Sequence, residues 1–212
     1  MRNLEKLDTP PVLVAHGAEW TEEYRLSILT SSQVPARWRH PEIVDTLRNE
    51  TFQKCAYCEG IIYDVSYGHV EHMRPRAHRP DLVVTWSNLT MSCQTCNTNK
   101  GDYYDEAAPI GNPYEHVIED HILFRGPMIA CKPGSTLGER TITKLDLRRG
   151  ALFVERAKRV EALHRLIDLW ASTAGPDKAV YETLVEKALS DDQEFVACLR
   201  EYAQSVGFTP ST

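Results

Sequence analysis

The 212-residue chain predicts an α+β protein in which a small, metal-stapled core with short strands is embedded in a mainly helical chain. Three observations carry this expectation. Two CxxC pairs, in CAYCEG at 55–60 and SCQTCN at 92–97, offer four thiolates, and two such turns can surround one zinc ion tetrahedrally. Between them, IIYDVSYGHVEHM has the β-branched and aromatic bias of short strands, with a turn at Gly68. C-terminal to them, in ALFVERAKRVEALHRLIDLW, apolar residues recur every three or four positions, the period of a buried helix face.

In chain order, residues 1–50 form an N-terminal helical segment. Thr21 is the expected N-cap of TEEYRLSIL, with Glu22 and Glu23 in its first turn, and Pro41 suits the first turn of PEIVDTLRNE. Residues 51–104 are the cysteine-bearing core. Residues 105–148 read as a loop-rich insert, since Asp102, Asp105, Glu106, Glu115, Glu119 and Asp120 fall in a stretch without Lys or Arg, broken by Pro109, Gly111 and Pro113. Residues 149–212 form a C-terminal helical region. Its first helix carries the stripe Leu152, Phe153, Val160, Leu163, Leu166, Ile167 and Trp170 opposite a cationic face. Gly175 and Pro176 end that helix, DKAVYETLVEKAL starts another, and SDDQ at 190–193 has the pattern of a capping box before EFVACLREYA.

With 42% hydrophobic and 25% charged residues, the composition is that of a globular protein and excludes disordered and collagen-like classes. No apolar run reaches the roughly 18–20 residues of a membrane span, and the first residues lack a signal-peptide core, so a cytoplasmic protein without a membrane partner is expected. In that reducing compartment six cysteines suit metal ligation plus spare thiols, Cys131 and Cys198, better than disulfides. A net charge of −6 does not favour nucleic acid, but the distribution does. Arg140 to Arg165 holds eight bases against three acids.

The cysteine pairs enclose VEHMRPR and WSNL and run into CNTNKG. Glu71, Asn88 and Asn97 offer oxygen donors suited to Mg2+ or Mn2+, and an unligated His72 imidazole can take a proton from water. At these residues the chain resembles the HNH endonucleases, a ββα-metal fold of two antiparallel strands and a helix gripping a divalent ion. The resemblance implies that Glu71 and Asn97 bind the catalytic ion, that His72 is the general base with Asn88 orienting it, and that Cys55, Cys58, Cys93 and Cys96 hold a structural zinc. Glu71 stands where Asp or His is more usual, and Asn97 where His is common.

More broadly, MRNLEKLDTPP, CAYCEG, VEHMRPR, WSNLTMSCQTCNTNKGD, NPY and TITKLDLRRGALFVERAKR resemble the HNH subunits of Septu-type anti-phage defence systems. That resemblance implies a nuclease effector beside an ABC-like ATPase, and the acidic 102–120 segment is the expected place for such a partner. The target implied is DNA, with RNA as the alternative. Arg74, Arg76 and Lys100 near the motif, and Arg148, Arg149, Arg156, Lys158 and Arg159 along the basic helix, are the candidate nucleic-acid contacts. Against each stands a plainer reading: solvated loop arginines, an ordinary amphipathic helix, asparagines serving as turn residues, and a surface role for His69. Two functional alternatives remain, a zinc-containing binding module with a vestigial nuclease site and a self-sufficient restriction-type nuclease.

Overall fold

The computed structural model describes residues 1–62 and 68–209. Helix α1 spans Pro11–Leu29, with proline at its first positions, where a missing N–H costs nothing. It buries Leu13, Trp20, Tyr24 and Ser27 on one face. Thr21 is therefore inside a helix and not at its start; its hydroxyl donates back to Gly17 O at 2.8 Å. The helix begins eleven residues earlier than its carboxylates suggest, because the proline pair sets its first turn. A 3-10 turn at Arg37–Arg39 leads to α2, Pro41–Glu50, which starts at Pro41 as expected.

The next elements build the core. Strand β1 (His69–His72) pairs antiparallel with β2 (Leu89–Ser92), Glu71 opposite Thr90 and His72 opposite Leu89. Strand β2 runs directly into α3 (Gln94–Lys100), where Cys93 is the N-cap and its Sγ accepts from Cys96 N. Of the strand-like stretch read from sequence, 63–67 lies outside the described residues. The first cysteine turn is closed by Cys55 N–H to Gly60 O and pinned to β2 by Ala56 N–H to Met91 O, both 2.9 Å. That second bond brings the two cysteine pairs together.

Residues 102–120 hold turns and a short 3-10 segment, and then the hairpin β3 (Ile122–Arg125) and β4 (Met128–Cys131) precedes α4 (Thr136–Lys144). Helices α5 (Gly150–Ser172), α6 (Asp177–Ala188) and α7 (Val196–Ser205) complete the chain. The capping box expected at 190–193 is not used. Ser190 bonds back to Lys187 O, and α7 begins only after Phe195, whose φ of 54° breaks the chain direction.

One apolar cluster joins the N-terminal helices, the cysteine turns, both hairpins and the start of α5. A second lies between α5, α6 and α7, around Leu163, Ile167, Val185, Leu199 and Phe208. The C-terminal region is also tied to the first cysteine turn: Phe195 N–H and Ala197 N–H reach Glu59, and Ile61 N–H reaches Glu194. No described helix is long and apolar enough to cross a membrane.

Candidate active site and metal centre

The four sulfur atoms of Cys55, Cys58, Cys93 and Cys96 lie within 4.8 Å of one another. Four sulfurs at about 2.3 Å from a central zinc would stand about 3.8 Å apart, and Cys58 Sγ and Cys93 Sγ are 3.9 Å apart. The donor set thus fits a closed tetrahedral thiolate site. Unmetallated, such a cluster is electrostatically awkward. Hydrogen bonds from the neighbouring thiols hold the Cys93 thiol below its ordinary range, while burial pushes Cys55 up. The Arg149 guanidinium lies against the cluster, 3.5 Å from Cys96 Sγ, and offsets thiolate charge. Cys198 has no such surroundings; it donates to Gly126 O, and burial pushes its thiol up to about 12, the mark of an inert core cysteine.

A cleft of about 750 Å³ opens beside this cluster, and Glu71, His72 and Asn97 all line it. Alternation along β1 puts His69 and Glu71 on one side of the strand and His72 on the other, while Asn97 reaches the cleft from α3. His72 is buried, and its Nε2 is 2.8 Å from Val83 O. A carbonyl only accepts, so Nε2 carries the proton and Nδ1 is left as the acceptor. Burial pushes the imidazole down to about 4, which keeps it neutral at physiological pH. The Trp38 ring meets it edge-on at 5.2 Å.

Glu71 is buried and splits its two oxygens. Oε1 accepts from Lys100 Nζ at 2.6 Å, and Oε2 has no partner among the described residues. Burial raises the Glu71 carboxyl, and Lys100 opposes that rise. A buried carboxylate oxygen without a partner is costly in a folded protein unless something binds it. The Asn97 side chain, on the helix that also carries Lys100, has no hydrogen-bond partner among the described residues. These donors fit a hard divalent cation.

Asn88 does not touch His72. Its Oδ1 accepts from Arg74 N–H at 2.7 Å, and its Nδ2 donates to Arg74 O and Leu82 O. It therefore clamps both ends of the loop that follows β1, and that loop presents the Val83 carbonyl. The contact expected between Asn88 and His72 is thus not made, and a backbone oxygen meets the ring instead.

Residues 55–103 match the family model described as HNH endonuclease. They are an HNH domain. Among curated proteins, the chain is 31% identical to the Septu protein PtuB of Bacillus thuringiensis, over 80% of this chain and 65% of that protein. It is 33% identical to the PtuB of Bacillus mycoides strain KBAB4, over 55% and 50%. It is also 30% identical to a candidate HNH endonuclease of retron Vc95 from Vibrio cholerae serotype O1 biovar El Tor, over 56% and 63%. The chain thus spans between half and just under two thirds of the length of these relatives.

The cations read as nucleic-acid contacts divide around the HNH domain. Lys100 is buried and ion-paired with Glu71, so it faces inward and cannot meet a phosphate from solvent. Arg156 is 2% exposed, donates to Leu147 O and stacks against Phe124 and Phe195; it belongs to the core. Arg149 is directed at sulfur and at Leu145 O and Asp146 O. Lys158 pairs with Glu155 and Arg159 with Glu194. Arg148 is exposed and donates weakly to Ile129 O. Arg74 and Arg76 are exposed near the cleft; Arg74 faces Glu115 at 3.8 Å, and Arg76 lines the cleft itself.

Sequence reasoning missed the Val83 carbonyl, the Trp38 contact and the inward role of Lys100. Only the last left a trace: Lys100 follows Asn97 by three residues in a helix, which puts both on one face.

Proposed function

We propose that this protein is a metal-dependent HNH endonuclease that hydrolyses phosphodiester bonds in DNA, acting as the nuclease of a Septu-like defence system beside an ABC-like ATPase. The observation that carries the reading is the pairing, in one cleft, of a neutral imidazole with a free Nδ1 and a buried carboxylate oxygen without a partner. The first can accept a proton, and the second calls for a cation.

In this reading Glu71 and Asn97 hold Mg2+ or Mn2+, which supplies Lewis-acid stabilisation of the charge that develops on the phosphate. His72 accepts the proton of the attacking water at Nδ1, while Val83 O keeps the other ring nitrogen protonated and the ring fixed. Trp38 packs edge-on against the buried imidazole and limits its contact with water. Lys100 fixes the Glu71 carboxylate through Oε1 and leaves Oε2 for the ion. The four cysteines hold a structural Zn2+, whose closed sulfur set leaves no position for substrate.

The test is plasmid cleavage by the purified chain with Mg2+ or Mn2+, with and without a co-purified ATPase. Metal-dependent nicking that His72→Ala lowers by about 10²–10⁴-fold, the usual span of general-base catalysis, supports the assignment. DNA binding without cleavage under every condition would instead indicate a binding module, and cleavage indifferent to any partner a self-sufficient nuclease. For the metal site, Mn2+ affinity should fall in Glu71→Ala and Asn97→Ala while zinc content stays constant.

A further inference from the structure

The phosphate-facing charge of this protein does not lie where its basic residues are densest. Along α5 the cations are already engaged: Arg156 is buried, Arg149 faces sulfur, Lys158 and Arg165 pair with Glu155 and Glu161 on their own helix, and Arg159 pairs with Glu194. Two arginines on the cleft differ. Arg39, from the 3-10 turn between α1 and α2, and Arg76, from the loop after β1, are exposed, line the cleft, and have no carboxylate partner among the described residues.

Arg76 is also anchored. Its guanidinium lies 5.0 Å over the Trp38 ring and 3.3 Å from Tyr24 OH, and the same Trp38 ring meets His72 edge-on. One indole thus sets both the imidazole and the guanidinium. Arg39 follows Trp38 directly, so the buried indole fixes the backbone that carries it.

The aromatic residues here are not a stacking platform. Trp38 is 7% and Tyr24 4% exposed, so neither offers a free face to an unstacked base, whereas single-strand binders depend on such faces. What the cleft presents outward is a pair of guanidinium forks, which match phosphate geometry. Glu71 and Asp102 are the acids facing the same space. We propose that Arg39 and Arg76 clamp the backbone phosphates of duplex DNA at the mouth of the HNH cleft, so that the N-terminal helical segment, outside residues 55–103, forms half of the substrate site. This rests on the nuclease reading above and assigns its substrate contacts.

The experiment is fluorescence anisotropy of a labelled DNA duplex with the zinc-loaded full chain, without added divalent ions, from about 50 to about 200 mM salt. Each phosphate contact removed should reduce the slope of log affinity against log salt by about 0.9. Arg39→Ala and Arg76→Ala should each show that loss and Arg39→Lys should restore it, a rescue that a purely structural role would not produce. The control Lys158→Ala/Arg165→Ala should leave the slope unchanged. An unchanged slope in Arg39→Ala and Arg76→Ala, a slope carried by the α5 control, or tighter binding of single strands than of duplex would each overturn the clamp. Plasmid cleavage with Mg2+ or Mn2+ on the same samples separates the two readings. Cleavage with an unaltered slope removes the clamp and leaves the nuclease; slope loss without any cleavage, in the presence of the co-purified ATPase as well as in its absence, does the reverse.

Discussion

The HNH core and the α5–α7 bundle are held together by opposite means. The core buries Glu71, His72, Asn88, Lys100, Thr90 and Ser92 among its apolar residues and gives most of their polar atoms a partner, Glu71 Oε2 and Ser92 Oγ being left without one among the described residues. The bundle buries Leu163, Ile167, Val185, Leu199, Ala203 and Phe208 and, apart from Arg156 near the start of α5, which packs into the main core, keeps its charges outside, several of them as helix-surface pairs. In the core, buried polar groups displace part of the apolar packing, and four clustered cysteines could supply a metal cross-link in its place. Where only shape is needed, ordinary hydrophobic packing suffices.

The largest expected effect strikes the core alone. A structural zinc contributes about 10–16 kcal/mol in small metal-dependent domains, comparable with the whole stability of a typical domain at about 5–15 kcal/mol. Chelation should therefore unfold the core, expose Trp38 and Trp86, and make Cys55, Cys58, Cys93 and Cys96 reactive to a thiol reagent. Unchanged tryptophan emission and four thiols still protected after metal removal would mean that the cysteines do not staple the fold.

Next in size is Lys100→Met, which strands the Glu71 carboxylate in a buried place and should cost about 3–5 kcal/mol in urea denaturation. A cost below about 1 kcal/mol would show that Glu71 is already neutral or solvated. In the bundle, Leu163→Ala should cost about 2–5 kcal/mol through its cavity, yet leave zinc content and Mn2+ affinity at the wild-type level. If metal affinity fell with it, the two regions would be coupled and the contrast would fail. Smallest is Lys158→Ala, which removes an exposed pair and should shift stability by no more than about 0.5 kcal/mol.

Much of this contrast was legible in the sequence, for reasons tied to particular residues. Cysteine spacing reports a tetrahedral site directly, because four sulfurs in two tight turns have few other arrangements. The stripe from Leu152 to Trp170 reports α5 because helix burial imposes its period, and Pro41 marks α2 because proline fixes φ at a first turn. What escaped was direction. Arg149, Arg156 and Lys100 look solvent-facing in one dimension, and only sulfur, two phenyl rings and a carboxylate from distant segments turn them inward. Helix α1 hid its start because Ala15, His16, Gly17 and Ala18 interrupt its apolar face. The pairing of Trp38 with His72 has no local signature at all, since it joins a turn before the HNH domain to a strand inside it.

The Val83 carbonyl has a consequence for how the proposed active site would be dissected. Because the acceptor that fixes the His72 tautomer is a main-chain oxygen, no exchange of side chains at position 83 deletes it. A saturation scan would score that site by bulk and branching alone and miss its electronic part in fixing the ring tautomer. Only replacing the peptide link there with an ester, which weakens the oxygen as an acceptor while keeping the shape, would expose it.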